Sequence, residues 1–184
     1  NQALSYYQND IRVWSISGFS FPINFPECNP YDVTFGVRAS SWGWATWSET
    51  WDKVDWEVKN YEEFRADKKA QKRFKQGGSD LCKMLHDQMT GRINSWAIRF
   101  CFAQFCDGSY DVFPRISKVQ NIGFTGEATH TKGMNKRFST TLDNSEMLQF
   151  SFAETPVVDP VILTQFQKPS SVMTRVKYKL LGLF

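Results

Sequence analysis

The chain contains 184 residues, of which 41% are hydrophobic and 22% are charged, so it has the composition of one ordinary globular domain spanning residues 1–184. Its net charge of +3 is too small to indicate nucleic-acid binding, and its basic residues are not interleaved with the tryptophans. No apolar run approaches the length of a membrane span. The four cysteines form no C-x-x-C or metal-binding spacing, which indicates free thiols and a cytoplasmic protein.

The first part of the chain predicts one helix and two short strands. Residues 1–10 have the apolar spacing of an amphipathic helix, and residues 12–17 alternate large apolar with small polar side chains, as a strand does. Residues 19–31 contain three prolines, so we expect no regular structure there. A second short strand is predicted over residues 33–37.

Residues 39–56 hold five of the seven tryptophans. Trp44, Trp47 and Trp51 fall at positions i, i+3 and i+7, which predicts a helix beginning near Gly43 with three indoles on one face. Aromatic residues at this spacing usually belong to a core, so one interpretation is a local hydrophobic cluster. The other is a wall of flat surfaces on which sugar rings or bases lie.

The middle of the chain is predicted to be helical. Residues 59–76 are strongly charged and indicate one or two solvated helices, and Ser79 is a capping residue for a helix over residues 80–90. Residues 94–106 are apolar on nearly every side, which indicates a buried helix. Its central Arg99 then needs an anionic partner, either a structural carboxylate or a bound diphosphate.

The following part of the chain mixes strands and loops. A short strand is predicted over residues 110–113. Residues 121–132 are rich in Gly and Thr, which is typical of a plain surface loop or of a mobile loop that closes over a phosphate. Residues 137–141 and 147–152 are predicted to pair as strands across a turn, and residues 161–167 to form a short helix.

Residues 171–184 predict a basic amphipathic tail helix. Its apolar positions recur at helical spacing, and its charged residues are all cations. Such a helix can lie on an anionic membrane surface, or it can dock on protein. Deletion of residues 171–184 should abolish binding to vesicles if the membrane is its partner.

Three long blocks of the sequence have a distinctive content. They are R-A-S-S-W-G-W-A-T-W followed by W-D-K-V-D-W, then I-N-S-W-A-I-R-F at residues 93–100, and F-P-R-I-S-K-V-Q-N-I-G-F-T-G-E-A-T-H at residues 113–130. In content and order they resemble bacterial glycosyltransferases of the GT-A nucleotide-diphospho-sugar transferase fold, and more distantly the animal N-acetylglucosaminyltransferases. The resemblance implies an α/β fold that corresponds to the later, acceptor-side portion of such an enzyme, with helices packed on a small mixed sheet.

The resemblance also implies a reaction. Such an enzyme transfers a sugar from a nucleotide-diphosphate donor to a hydroxyl group of a glycan or lipid-linked acceptor. The family uses a divalent cation, Mn²⁺ or Mg²⁺, bound mainly through an Asp-X-Asp motif that precedes the region matched here. That motif is not in this sequence, so the chain alone is expected to be inactive.

Site residues follow from the matched blocks. Acceptor binding is assigned to Trp42, Trp44 and Trp47. The late loop orders over the sugar nucleotide in this family, and in some members a late histidine joins the metal, which makes His130 a candidate ligand. The implied donor-binding residues are Arg99, Thr125, Gly126, Thr129, His130 and Lys132.

The catalytic base is not fixed by the resemblance. In the animal enzymes a carboxylate stands directly before the tryptophan that matches Trp96, whereas this chain has Ser95 there. Asp80 lies in a block, G-G-S-D-L, that resembles a family segment placing an acid beside the acceptor. We therefore expect Asp80 or Glu49 to act as the base, with Asp52 as a further candidate.

A second class of function remains open on sequence grounds. The same aromatic wall would suit a non-catalytic carbohydrate-binding module. Both functions require binding of sugar, but only a transferase should bind uridine diphosphate with Mn²⁺. For both functions we expect a cytoplasmic protein without a nucleic-acid partner. Its tail helix would allow peripheral contact with the inner face of the membrane.

Overall fold

A small mixed sheet forms the centre of the molecule in the computed structural model, which describes residues 1–120 and 138–180. Its strands are β1 (Val13–Ser17), β2 (Val33–Gly36), β3 (Trp44–Thr46) and β4 (Tyr110–Pro114). The strand order is β2-β4-β1-β3, with β4 parallel to β1 and the other two pairings antiparallel. The described part of the chain therefore has a mixed α/β architecture.

Eight helices accompany this sheet in the described residues. None of them is long and apolar enough to cross a lipid bilayer. Two short 3-10 turns, Lys75–Gly77 and Lys168–Ser170, connect neighbouring helices. The helices are α1 (Gln2–Tyr7), α2 (Ser48–Asp52), α3 (Tyr61–Ala66), α4 (Lys68–Phe74), α5 (Leu81–Met89), α6 (Trp96–Asp107), α7 (Pro160–Gln167) and α8 (Val172–Leu180).

Local sequence signals explain where several helices begin and end. The Asp67 carboxylate accepts hydrogen bonds from two backbone amides at the start of α4, and Asp159 does the same for α7. Ser95 caps α6 by accepting from the Ile98 amide. Gly108, with φ of +78°, ends α6 in the left-handed region that favours glycine. These helices agree with the sequence predictions for residues 59–76, 80–90, 94–106 and 161–167.

The sheet separates two apolar regions. On one side α1 and the segment around Ala153 cover β1, β2 and β4, and the Tyr7 hydroxyl donates to the Ala153 carbonyl at 2.9 Å. On the other side α6 packs against Trp14 through Phe100, and against α3, α4 and α5 through further aromatic and aliphatic side chains. The helix α6 therefore contacts both the sheet and the outer helices, as its apolar sequence predicts.

The predicted helix beginning at Gly43 is wrong. Residues Trp44–Thr46 instead form β3, which pairs with the free edge of β1, and a short helix starts only at Ser48. The Thr46 hydroxyl also donates to the Trp14 carbonyl at 2.6 Å. Pairing with β1 satisfies backbone groups that a helix would leave unpaired on that edge, and this tertiary contact overrides the local spacing of the tryptophans.

Two smaller expectations are also corrected. Residues 147–152 do not pair with residues 138–141, because Ser151 instead exchanges hydrogen bonds with Asp32, at 2.9 Å and 2.8 Å. Ser79 does not cap α5. Its hydroxyl donates to the Ser170 carbonyl at 2.6 Å, so it joins the beginning of α5 to the C-terminal region.

Candidate functional site

Four tryptophans gather at one exposed surface, which we call the tryptophan patch: Trp44, Trp51, Trp56 and Trp96. The rings of Trp44 and Trp96 stack with centroids 5.0 Å apart and planes inclined by 19°. Trp51 contacts Trp56 with centroids 4.5 Å apart. Phe100 lies in contact with Trp44, at 5.2 Å between ring centroids. The patch is one continuous aromatic cluster.

The patch is built from three separate elements. The edge strand β3 supplies Trp44, α2 supplies Trp51, and the first residue of α6 is Trp96. Trp51 and Trp96 remain 38% and 39% exposed. Partly exposed indoles held by neighbouring rings offer flat apolar faces with little rotamer freedom to lose on binding. Such a surface suits the apolar face of a sugar ring.

The three sequence blocks described above meet at Gly43 and Trp44. Trp96, which belongs to the second block, stacks on Trp44 of the first block. The third block reaches the same point through Val119, whose methyl groups lie against the Cα of Gly43, so that a Cβ there would come within 2.7 Å of Cγ1. The Gly18 amide donates to the Gly43 carbonyl at 2.6 Å and fixes this part of the chain to the end of β1.

A second concave surface, the Trp42 cleft, lies next to the sheet. It has a volume of about 180 Å³. Phe19, just after β1, and Phe113, at the end of β4, both line it. The carboxyl ends of parallel strands are frequent ligand sites in α/β proteins. Six of its sixteen lining residues are aromatic, and its polar side chains come from Arg38, Gln76 and three serines.

Arg38 is held by Asp80 through two hydrogen bonds. Its guanidinium nitrogens lie 2.8 Å and 3.1 Å from the two carboxylate oxygens, and the side chains are 31% and 22% exposed. Such a bidentate pair occupies both oxygens of the acid. Asp80 therefore lies beside the cleft as the partner of Arg38, and this placement gives no support to its predicted role as a catalytic base.

A fully buried carboxyl group lies behind the cleft. Asp111, in β4, accepts hydrogen bonds from the Ser15 hydroxyl at 2.5 Å and from the Ser40 amide at 3.2 Å. Burial raises the pKa of Asp111 well above its usual range. Burial likewise raises the pKa of the Cys101 thiol to about 11. Because both side chains are buried in the protein, we assign them a structural role and not a catalytic one.

The predicted acceptor residues are separated in space. Trp42 lines the cleft, with its ring 4.7 Å from that of Phe19, and Trp44 belongs to the tryptophan patch. Trp47 packs with the apolar cluster of Tyr7 on the α1 side of the sheet. A single wall formed by Trp44, Trp47 and Trp51 is therefore wrong, because side chains on a strand alternate between its two faces.

Two further predicted site residues lie in different surroundings: Glu49 is exposed to solvent, and Arg99 contacts Trp56. Glu49 lies exposed in the first turn of α2, two residues before Trp51. Arg99 donates to the Trp56 carbonyl at 3.1 Å, and its guanidinium lies 5.9 Å from the centroid of the Trp56 ring. Among the described residues no carboxylate pairs with Arg99, and its binding to a donor diphosphate stays a prediction.

The remaining predicted donor and metal residues lie outside the described residues: Thr125, Gly126, Thr129, His130 and Lys132. Within residues 1–120 and 138–180, no group of three or more His, Cys, Asp or Glu side chains could hold a metal ion. The described part of the chain therefore does not fit a divalent cation. All four cysteines are free thiols.

Sequence reasoning grouped Trp51 with Trp44 but missed the contribution of Trp56 and Trp96 to the same surface. A signal was present, since Trp96 lies within the second block and Trp56 within the first. Their proximity could not be inferred, because it depends on how α6 crosses the edge of the sheet. Comparisons with family models, with curated proteins and with solved structures found no match to this chain.

Proposed function

We propose that this chain forms the acceptor-binding part of a GT-A glycosyltransferase and that the tryptophan patch binds the acceptor sugar. The reaction is transfer of a sugar from a nucleotide-diphosphate donor to a hydroxyl group of a glycan or lipid-linked acceptor. The observation that supports this proposal is the convergence of all three family-like blocks at Gly43 and Trp44. Blocks that are far apart in sequence and meet at one exposed aromatic surface are expected when that surface is a working site.

The positions of nearby groups support the assignment of roles. Trp51 and Trp96 offer the exposed faces on which a pyranose ring would stack. Glu49 and Asp52 are exposed acids on either side of Trp51 in sequence, and Glu49 as a general base would take the proton of the attacking hydroxyl. Ser95, which occupies the position of the base in the animal enzymes, is used as the cap of α6.

The donor side is proposed from the third block. Val119 packs against Gly43, and the chain continues from there into the segment that carries Thr125, Thr129, His130 and Lys132. Amides, hydroxyls and a lysine in such a segment would donate to diphosphate oxygens.

Sugar binding is tested by tryptophan fluorescence of the 184-residue chain. We expect oligosaccharides such as chitotetraose or cellotetraose to change the emission, because the patch contains four of the seven indoles. Replacement of Trp96 or Trp51 by Ala should weaken binding about tenfold, the loss of one stacking contact of about 1.4 kcal/mol. Trp47→Phe is the matched control and should bind normally, since Trp47 packs on the other side of the sheet. Absence of binding to every oligosaccharide tested would contradict the proposal.

A non-catalytic carbohydrate-binding module is the second candidate. It is favoured by Asp80, whose two oxygens are occupied by Arg38, and by the lack of a metal-binding group among the described residues. The two functions separate when uridine diphosphate and Mn²⁺ are added to the chain in a calorimeter. Heat of binding supports a transferase, whereas sugar binding without nucleotide binding supports the module. In an active transferase, Glu49→Gln should retain sugar binding and lose turnover.

A further inference from the structure

The C-terminal helix α8 turns its apolar side chains away from the protein. A surface helix of a globular protein normally directs its apolar stripe at the core. In α8 the half-buried residues include Thr174, Arg175 and Tyr178, which carry polar groups. Four large apolar side chains are between 51% and 82% exposed: Val172, Met173, Val176 and Leu180.

The exposed face of α8 is also flanked by positive charge. Residues 160–180 contain no acidic residue, and their charged residues are all cations. At about 100° per residue, Lys177 lies on one side of the apolar arc and Lys179 lies on the other. Lysine side chains in these positions can extend their ammonium groups along an interface while their methylene stems cover apolar surface.

We propose that α8 is an interfacial helix that binds this protein to the surface of an anionic lipid bilayer. The apolar arc enters the boundary between headgroups and acyl chains, and Lys177 and Lys179 contact lipid phosphates. Nine residues give a helix about 13 Å long, which lies in the plane of the bilayer and does not span it. Charge complementarity selects this partner, since an anionic bilayer offers negative charge on both sides of the arc at once.

Sedimentation with vesicles tests the inference on the full chain. We expect binding to vesicles of phosphatidylcholine with phosphatidylglycerol, weaker binding to phosphatidylcholine alone, and release by salt. The double variant Lys177→Gln with Lys179→Gln should reduce partitioning by about tenfold or more, since each cation near an anionic surface contributes about fivefold. Met173→Gln with Leu180→Gln should also reduce binding, by removing apolar contact at highly exposed positions.

Matched controls use equally exposed residues elsewhere. Leu148→Gln changes a leucine that is 81% exposed outside α8, and Lys59→Gln with Lys69→Gln removes two exposed lysines from another part of the surface. Both controls should sediment like the unmodified chain.

Lack of sedimentation with anionic vesicles, or equal effects of the control and α8 variants, overturns the inference. So does concentration-dependent dimerisation that Met173→Gln with Leu180→Gln abolishes, because α8 would then bind a second copy of the chain. The inference does not depend on the proposed sugar chemistry.

Discussion

Gly43 has no side chain, and this allows segments that are distant in sequence to pack closely together. Its φ of +54° lies in the left-handed region, and Val119 occupies the space where a Cβ would be. Its carbonyl accepts from Gly18 at 2.6 Å, and the next residue, Trp44, stacks on Trp96. A single glycine therefore permits the contacts among the ends of β1, β3 and α6.

Replacement of Gly43 by Ala should lower the free energy of unfolding by about 2–4 kcal/mol. Part of this loss comes from the left-handed backbone, about 1–2 kcal/mol, and the rest from the clash with Val119. Gly91→Ala is a close control, because Gly91 has φ of +72° but no atom within 4 Å of the added Cβ. Urea denaturation of both variants isolates the steric part. Equal losses would show that Val119 moves aside at no cost.

Arg38 and Asp80 form an ion pair between separate elements, whereas Glu62 and Arg65 pair within one helix. Arg38, which follows β2, binds Asp80 at the start of α5, and its guanidinium also lies 3.3 Å from the Ser170 hydroxyl. Three segments of the chain therefore meet at this guanidinium. The pair of Glu62 and Arg65 lies within α3, and both side chains are more than 60% exposed.

Asp80→Asn should reduce stability by about 1–3 kcal/mol, since it leaves the partly buried guanidinium of Arg38 without its anion. Glu62→Gln is the control and should change stability by less than about 0.5 kcal/mol. Thermal or urea unfolding measures both. An unchanged stability of Asp80→Asn would contradict a structural role and would revive the interpretation of Asp80 as a catalytic acid or base.

Helices were easier to predict than the site, for a physical reason. The ends of α4 and α6 depend on Asp67, Ser95 and Gly108, which act on neighbouring amides or on their own backbone, so their effect is visible in the sequence. The strand β3 depends instead on the edge of β1, which lies some 30 residues away in the Ser15–Thr46 pairing. The helical spacing of its tryptophans was therefore misleading, and so was the expected grouping of Trp44 with Trp47.

At the scale of the whole molecule, the sheet keeps one ionisable group away from water. Asp111 is completely buried between the strands and the segment of Ser40, and burial raises its pKa well above the ordinary value of about 3.9. Above that ordinary value the unfolded chain releases the proton, whereas the folded protein retains it. The contribution of Asp111 to the free energy of unfolding is therefore fully present below about pH 4. This contribution is lost as pH rises toward the pKa of Asp111 in the folded protein.

Asp111→Asn should remove this dependence on pH. We expect the variant to gain stability relative to the unmodified chain as pH rises above about 4, at up to about 1.4 kcal/mol per pH unit until the folded-state pKa is reached. Asp10→Asn is a control of opposite sign. The hydrogen bond from Arg12 lowers the pKa of Asp10, so the stability that Asp10 supplies is present above about pH 4 and is lost as pH falls below it. Asp10→Asn should therefore lie below the unmodified chain by a constant amount at neutral pH and approach it in acid. Urea denaturation from about pH 3 to pH 8 measures both variants, and parallel profiles for Asp111→Asn and the unmodified chain would contradict the assignment.

The position of β4 has a consequence for synthesis. It is the last of the four strands in sequence, yet it lies between β1 and β2, and its Asp111 bonds to Ser15 across 96 positions. On the ribosome, β1 and β2 therefore emerge well before the strand that joins them. Their edges stay open to pairing with other nascent chains during that interval. Efficient production of this protein should consequently depend on chaperones that shield the growing polypeptide until β4 has been made.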